Sequence, residues 1–307
     1  MKIVVTGAAG FIGGHLIEQL TRDGNDCLGM DDMSIHQGNT PEWILNNEQI
    51  REKILHVDCV VYKKTLTKLN AFKPDVIFNL AVKPLEHSIE LPENNFRTNT
   101  LITMNVLSYI RRHKTKLIHF SSSEVYGSAY TDNMSEEHRI SPNTTYAASK
   151  AACDHAVLSY VRTFEADAMI VRPFNTIGPR QNDRTYAAII PKTTRRIKEG
   201  KCPMINGSGN NTRDYTAVED IVNGAIATMN LGKRGEVYNL CSGEETSTRE
   251  MMDMISKEMK YFGEYDYTIE RQGDVKRHRG DNTKAQNELG WKPNVNIREA
   301  VRRAIHD

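Results

Sequence analysis

Short β-branched strands alternating with amphipathic helices predict an α/β protein built on a doubly wound parallel sheet, with a smaller mixed α/β region at its C-terminal end. Three observations carry this. The run KIVVT stops at a glycine-rich turn that opens a helix; the alternation repeats to about residue 173; beyond it Pro173, Pro179, Pro191 and Pro203 punctuate irregular segments. The length of 307 residues suits about two domains. We read residues 1–173 as the first and 174–307 as the second, with part of 207–240 returning to the first sheet.

Taken in order, residues 2–6 form a buried strand bounded by Gly7. Residues 11–21 (FIGGHLIEQLT) have apolar positions at helical spacing. A second strand is expected at 27–30 (CLGM), a third at 54–57 (ILHV), and a short helix at 65–72. A strand follows at 76–80 (VIFNL), a helix at 99–113, a strand at 117–120 (LIHF), a long helix at 146–164 and a strand at 168–171 (AMIV). Residues 36–47 read as a surface loop or short helix.

Composition narrows the function classes. Lys+Arg is 40 and Asp+Glu 39, a formal net charge of +1, so no global field attracts nucleic acid or an anionic membrane. The short basic runs at 111–114 and 302–303 read as helix C-terminal endings. The five cysteines contain no CxxC pair, and the ten histidines no HxxxH or HExxH, which predicts no metal site and no disulfide framework. No run approaches the roughly 18 apolar residues of a membrane span. A soluble protein in the reducing cytoplasm is expected.

The turn Gly7-Ala-Ala-Gly10-Phe-Ile-Gly13 sits between strand and helix, the context a dinucleotide pyrophosphate needs. Gly7 allows the tight turn, Gly10 the approach of backbone to phosphate, and Gly13 close packing of helix on strand. Asp31, 18 residues beyond Gly13 at a strand end, suits an adenosine ribose and disfavours NADP, so NAD is the expected cofactor. Asp32 is an adjacent candidate. The fold is thus of Rossmann type.

A second constellation is Tyr146-Ala-Ala-Ser-Lys150. Residues four apart share a helix face, and an ammonium beside a phenol favours the phenolate, which makes Tyr146 a base for a sugar hydroxyl. The segment Ser121-Ser122-Ser123-Glu124 follows the strand LIHF, where hydroxyls and a carboxylate face a ligand bound beyond the strand ends.

Together these motifs resemble the extended short-chain dehydrogenase/reductase family of NAD-dependent nucleotide-sugar epimerases, dehydratases and decarboxylases. The resemblance runs through VTGAAGFIG (5–13), MDDMS (30–34), VDC (57–59), NLAV (79–82), SSSEVYG (121–127), YAASK (146–150), RPFNTIGPRQ (172–181), TRDYTAVEDIV (212–222) and GDVKRHRGDNTKAQNELGW (273–291). It implies cofactor contacts at Phe11, Ile12, Ser34, Asp58, Cys59, Leu80, Ala81, Val82 and Asn99, beside the glycines, Asp31, Asp32, Tyr146 and Lys150. It implies that Ser122 holds the sugar hydroxyl beside Tyr146, and that Ser88, Asn175, Arg213 and Arg277 contact a nucleotide-sugar substrate, the arginines through its phosphates. The helices at 99–113 and 146–164 would build a four-helix homodimer interface.

The shared chemistry is oxidation at C4 followed by return of the hydride. Glu124 separates the reactions. With Ser123 and Glu124 the resemblance favours a UDP-sugar dehydratase acting on a UDP-N-acetylglucosamine-like substrate, with Glu124 removing the C5 proton. Ser123 stands where family dehydratases commonly carry an aspartic acid, and serine is a poor general acid. A UDP-sugar 4-epimerase is the alternative and needs only Ser122, Tyr146 and Lys150. A UDP-glucuronate decarboxylase comes third. A catalytically idle NAD(H)-binding regulator is the reading from another class; it would be expected to lack Tyr146 or Lys150.

Overall fold

The computed structural model describes residues 1–182, 188–271 and 273–306. Its centre is a seven-stranded parallel sheet. Strands β1 (Lys2–Thr6), β2 (Asp26–Asp31), β3 (Ile54–His56), β4 (Val76–Asn79), β5 (Lys116–Phe120) and β6 (Ala168–Pro173) stand in the order β6-β5-β4-β1-β2-β3. The strand Val237–Leu240 adds itself in parallel outside β6, with Val237 opposite Ile170 and Leu240 opposite Pro173.

Both faces of the sheet are covered, so its strands read as continuous apolar runs. The period of two assigns their side chains. Ile3 and Val5 pack with Phe78, Leu16, Ile17 and Ile221 on one face. Val4 packs with Ile77, Val106, Leu117 and Val157 on the other. A separate C-terminal core gathers Ile177, Ile190, Tyr215, Met251, Ile255 and Val301.

Helix α1 (Phe11–Arg22) buries Leu16, Ile17 and Leu20, as its spacing predicts. The helix expected at 99–113 instead spans Pro92–Ile110. Pro92 sits in the first turn, where its fixed φ and missing N–H do no harm. The buried face carries Asn95, Thr98, Asn99, Thr103 and Asn105, so an apolar periodicity search misses its first two turns. The helix Leu85–Glu90, not foreseen, is one and a half turns long and carries no sustained period. The region 36–47 contains the short helix Glu42–Leu45.

Strand order reverses between β1 and β4, leaving a crevice at their carboxyl ends. Thr6 stitches its floor. The Thr6 hydroxyl donates to Asn79 Oδ1 at 2.8 Å and accepts the backbone N–H groups of Leu80 and Ala81, each at 3.1 Å.

The segment 273–281 returns from the C-terminal region to pack along residues 127–134, which follow β5. His278 pins it there through a 3.0 Å bond between Nε2 and the Gly127 carbonyl. Burial foremost, then the charge of Arg213, pushes the His278 imidazole down to about 3. His138 acts in the same direction, and the Gly127 bond and Asp274 oppose it. A depressed folded-state pKa gives stability that is present above the unfolded value near 6.5 and is lost as pH falls toward 3. Below pH 6.5 the stability of the wild type relative to His278→Gln should therefore fall by about 1.4 kcal/mol per pH unit. Urea midpoints at pH 7.5, 6.0 and 5.0 test this; a constant difference between the two proteins would refute it.

Candidate active site

The crevice holds a cavity of about 380 Å3. Gly7, Gly10, Phe11, Ile12 and Gly13 line one side. Two glycines are required by contact. Gly7 has φ +71°, and a Cβ there would lie 2.9 Å from the Ala81 nitrogen. A Cβ on Gly13 would lie 2.1 Å from the Gly7 carbonyl oxygen. The turn therefore leaves an open cradle at the N-terminus of α1, where unpaired N–H groups favour phosphate.

Asp31 and Asp32 both line the cavity at the end of β2. Asp31 is fixed by the turn itself: its Oδ2 accepts the Ala9 N–H at 2.9 Å, and its Oδ1 accepts the Met33 N–H at 2.7 Å. Burial raises its pKa against those two hydrogen bonds. Asp32 pairs with Lys83 at 3.0 Å. Burial pushes the Asp32 carboxyl up, but the Ser34 bonds and the Lys83 charge prevail and hold it low. Ser34, Asp58, Cys59, Leu80, Ala81 and Val82 also line the cavity. Lys83, missed in the sequence, bridges Asp32 and Ser34, its ammonium donating to the serine hydroxyl at 2.6 Å. Its signal was its place immediately after NLAV, beyond the end of β4.

Asn99 does not line the cavity. Its Oδ1 accepts the Lys83 N–H at 2.8 Å, and its amide donates to Lys83 O, Asn95 Oδ1 and Ser149 Oγ. Asn99 therefore braces the segment that carries Lys83, which lines the crevice.

The far wall carries Ser122, Tyr146 and Lys150. The helix Thr145–Phe164 starts where the Thr144 hydroxyl accepts the Ala147 N–H at 3.2 Å, which places Tyr146 in its first turn and Lys150 one turn later. Burial pushes the Tyr146 phenol well above its ordinary range. The hydrogen bond from Ser122 pulls it down, and the charges of Glu124 and Glu86 push it further up. Lys150 donates to the Phe120 carbonyl at 2.7 Å. Burial lowers its pKa, while Cys153 and Asp154 oppose that. Behind it Asp154 accepts from Ser121 at 2.9 Å and pairs with Arg172 at 3.0 Å, both buried.

Ser123 and Glu124 form a short turn after β5 and lie outside the cavity lining. Ser122 caps that turn, its hydroxyl accepting the Glu124 N–H at 3.2 Å. Ser123 is buried. Burial raises the Glu124 pKa; the Arg213 and Arg271 charges oppose it, and Asp274 and Glu86 reinforce it.

Of the substrate residues expected from sequence, Ser122 lines this cavity, and Ser88, Asn175, Arg213 and Arg277 do not. Ser88 is buried and donates to the Leu85 carbonyl at 2.6 Å. The Asn175 amide nitrogen is buried without a partner among the described residues, a donor left for a ligand. Arg213 pairs with Asp274 at 2.6 Å and donates to Val275 O at 2.7 Å. Arg277 grips Glu245 with two bonds of 2.8 and 2.9 Å. Arg271 was not foreseen. It shares Asp274 with Arg213 at 2.7 Å and reaches Glu86 at 3.7 Å. Only folding reveals that role, since Arg271 and Glu86 are 185 residues apart.

Among the described residues, no group of three or more His, Cys, Asp or Glu could hold a metal ion, and no helix is long and apolar enough to cross a membrane.

A parallel α/β sheet with a glycine cradle at its reversal point and a Tyr–Lys pair on the facing wall defines a dinucleotide-dependent class of protein. The chain belongs to the extended short-chain dehydrogenase/reductase family of nucleotide-sugar epimerases and dehydratases; residues 4–304 match the family model described as GDP-mannose 4,6 dehydratase. It is 32% identical over 309 residues to the UDP-glucose 4-epimerase of Mycolicibacterium smegmatis, covering 99% of this chain and 97% of that one. It is 28% identical over 318 residues to UDP-glucuronic acid decarboxylase 1 of Xenopus tropicalis, covering 99% and 71%. Among solved structures, a dTDP-glucose 4,6-dehydratase from Streptomyces venezuelae with NAD bound superposes with a TM-score of 0.91 at 26% identity, covering 99% of this chain and 96% of that one.

Proposed function

We propose that this protein is an NAD-dependent enzyme that modifies a nucleotide sugar through transient oxidation at C4, and that it acts as a dehydratase on a UDP-N-acetylglucosamine-like substrate. The observation that carries the dehydratase reading is Glu124. It is a carboxyl whose pKa burial raises, whose charge acts on Tyr146, and on which the charges of Arg213 and Arg271 act in turn.

The residues fit NAD. The glycine cradle takes the pyrophosphate, Asp31 the adenosine ribose, and Tyr146 and Lys150 the nicotinamide ribose. When bound, NAD supplies a hydride acceptor for C4 and a hydride donor afterwards. Tyr146 takes the proton of the 4-hydroxyl, which Ser122 holds in place. Lys150 stabilises the phenolate. The 4-ketone acidifies the C5 proton, and Glu124 removes it. The proton gained by Glu124 is the one the departing 6-hydroxyl needs to leave as water, so a single carboxyl serves where Ser123 cannot act as acid. We assign Asn175, Arg213, Arg271 and Arg277 to contacts with the diphosphate and sugar.

A 4-epimerase is the second reading. It is favoured by the 32% identity to an epimerase, and it needs only Ser122, Tyr146 and Lys150. Incubating the purified protein with UDP sugars in heavy water, followed by mass spectrometry, separates the two. Loss of water with deuterium gained means dehydratase. An unchanged mass with a new sugar isomer means epimerase, and no conversion of any sugar overturns both.

We also propose a cytoplasmic homodimer. The helices Pro92–Ile110 and Thr145–Phe164 pack together and leave Phe96, Leu101, Met104 and Phe164 37–44% exposed. Sedimentation at micromolar concentration should give twice the chain mass; a monomer would sink the dimer.

A further inference from the structure

We infer that Asp32 sets the choice between NAD and NADP by holding Lys83, the cation that a ribose 2′-phosphate would need, in an ion pair. The inference rests on the dinucleotide site described above and does not depend on which sugar reaction the enzyme performs.

A Rossmann-type site places the adenosine ribose at the carboxyl end of the second strand, and NADP differs from NAD by a phosphate on that ribose. A site that accepts the phosphate needs a cation there. The segment after β2 supplies neither lysine nor arginine: residues 31–36 read Asp-Asp-Met-Ser-Ile-His. Among the described residues that line the cavity, the lysines and arginines are Lys83 and Lys150. Lys150 is anchored to the Phe120 carbonyl on the far wall. Lys83 remains. Because β4 and β2 flank β1, its side chain runs from beyond β4 across the end of β1 to Asp32 and Ser34.

Both ends of this bridge are fixed. The Lys83 N–H donates to Asn99 Oδ1 at 2.8 Å, and the Lys83 carbonyl accepts the amides of Asn95 and Asn99 at 3.1 and 3.2 Å. Both asparagines are buried. At the other end Asp32 Oδ2 accepts the ammonium at 3.0 Å, while Oδ1 accepts the Ser34 N–H at 3.0 Å. Burial works against the Asp32 charge, but the Ser34 bonds and Lys83 outweigh it and the carboxylate stays ionised. The ammonium thus stands at the ribose end of the crevice with its charge already matched.

Asp31 does not make this choice alone. Its two oxygens accept the Ala9 and Met33 N–H groups at 2.9 and 2.7 Å, so it is also part of the turn's framework. Asp31, Asp32 and Asp58 line the cavity against the one Lys83, so a 2′-phosphate meets an excess of negative charge. Such repulsion discriminates without any added attraction for NAD. With the Asp32 charge removed, the ammonium keeps only the Ser34 hydroxyl and is free to meet the phosphate. The side chains of Lys83 and Asp32 are 23% and 32% exposed, so solvent screens the pair and limits the size of the effect.

Asp32→Asn removes the charge and keeps an oxygen for the Ser34 N–H, so the turn should fold normally. In the test, purified protein is equilibrated with equal concentrations of NAD and NADP, and the nucleotides released by acid are counted by mass spectrometry. Any contact of Lys83 with the pyrophosphate cancels in the ratio, since both cofactors share that group. The wild type should retain NAD over NADP by about 100-fold. Asp32→Asn should narrow the ratio by about tenfold, through tighter NADP. Lys83→Met should widen it, because Asp32 loses its counter-ion. Asp32→Asn combined with Lys83→Met should return close to the wild-type ratio. A ratio unmoved by Asp32→Asn, a gain that survives in the double variant, or a ratio that fails to widen in Lys83→Met would each overturn the masking of Lys83 and leave the dinucleotide site standing. Wild-type protein that retains neither nucleotide would overturn the site itself.

Discussion

Tyr146→Phe should lower turnover by about 10³-fold, the upper-middle range for removing a positioned acid–base group and about 4 kcal/mol in the barrier. Bound NAD and the thermal midpoint should stay close to wild type. The ring remains to fill its buried position, and the lost hydroxyl gives up only its bond with Ser122. The structure sharpens why the loss should be so large. Burial holds the phenol high, and Glu124 and Glu86 hold it higher, so the protein's own anions work against ionisation. The cationic help must come from Lys150 and from the charge of the oxidised nicotinamide. Lys150 is buried and anchored on the Phe120 carbonyl, which keeps its ammonium on the site wall. Turnover of the wild type should therefore climb as pH rises, because the phenolate fraction grows with it. Steady-state rates across pH 6 to 9, with bound NAD measured on the same samples, provide the check. A variant retaining a tenth of wild-type turnover would remove Tyr146 from the role of base.

The contrast between Tyr146 and Arg271 shows what a sequence can carry. The glycine turn, the strand-end acid and the Tyr–Lys pair are local. Each is a short motif beside the element that positions it, and the sheet strands announce themselves as β-branched runs because both faces are buried. The cluster of Arg213, Arg271, Asp274 and Glu86 is assembled from segments far apart in sequence, so no spacing rule reaches it. Asn99, expected from the resemblance near the cofactor, spends its amide on Lys83, Asn95 and Ser149, an arrangement that no local spacing announces. The helix Pro92–Ile110 hid its first turns because polar side chains line its buried face, and those asparagines are satisfied by backbone carbonyls such as Lys83 O and Cys59 O.

Glu124→Gln is the substitution that decides between the two reactions. Glutamine matches the shape of glutamate but takes no proton. If Glu124 moves the C5 proton, dehydration should fall by about 10³-fold, the scale of a lost general base. Oxidation at C4 should continue, because Ser122, Tyr146 and Lys150 are untouched. If the enzyme is an epimerase, the same variant should keep most of its rate. The side chain's environment supports the first outcome. Burial raises its pKa, the direction that lets a carboxyl both accept a proton and return it to a leaving hydroxyl. The stability consequence has a definite sign. A carboxyl with a raised folded-state pKa contributes stability that is present below its unfolded value and lost as pH rises through the folded value. Once pH has risen past the folded value that contribution is gone, and there removing the charge should leave the thermal midpoint equal to or above wild type. Unfolding scans and deuterium uptake at C5 separate the variables. A variant of unchanged midpoint that still exchanges C5 and releases water at the wild-type rate would take the C5 proton away from Glu124 and leave epimerisation as the reaction this site performs.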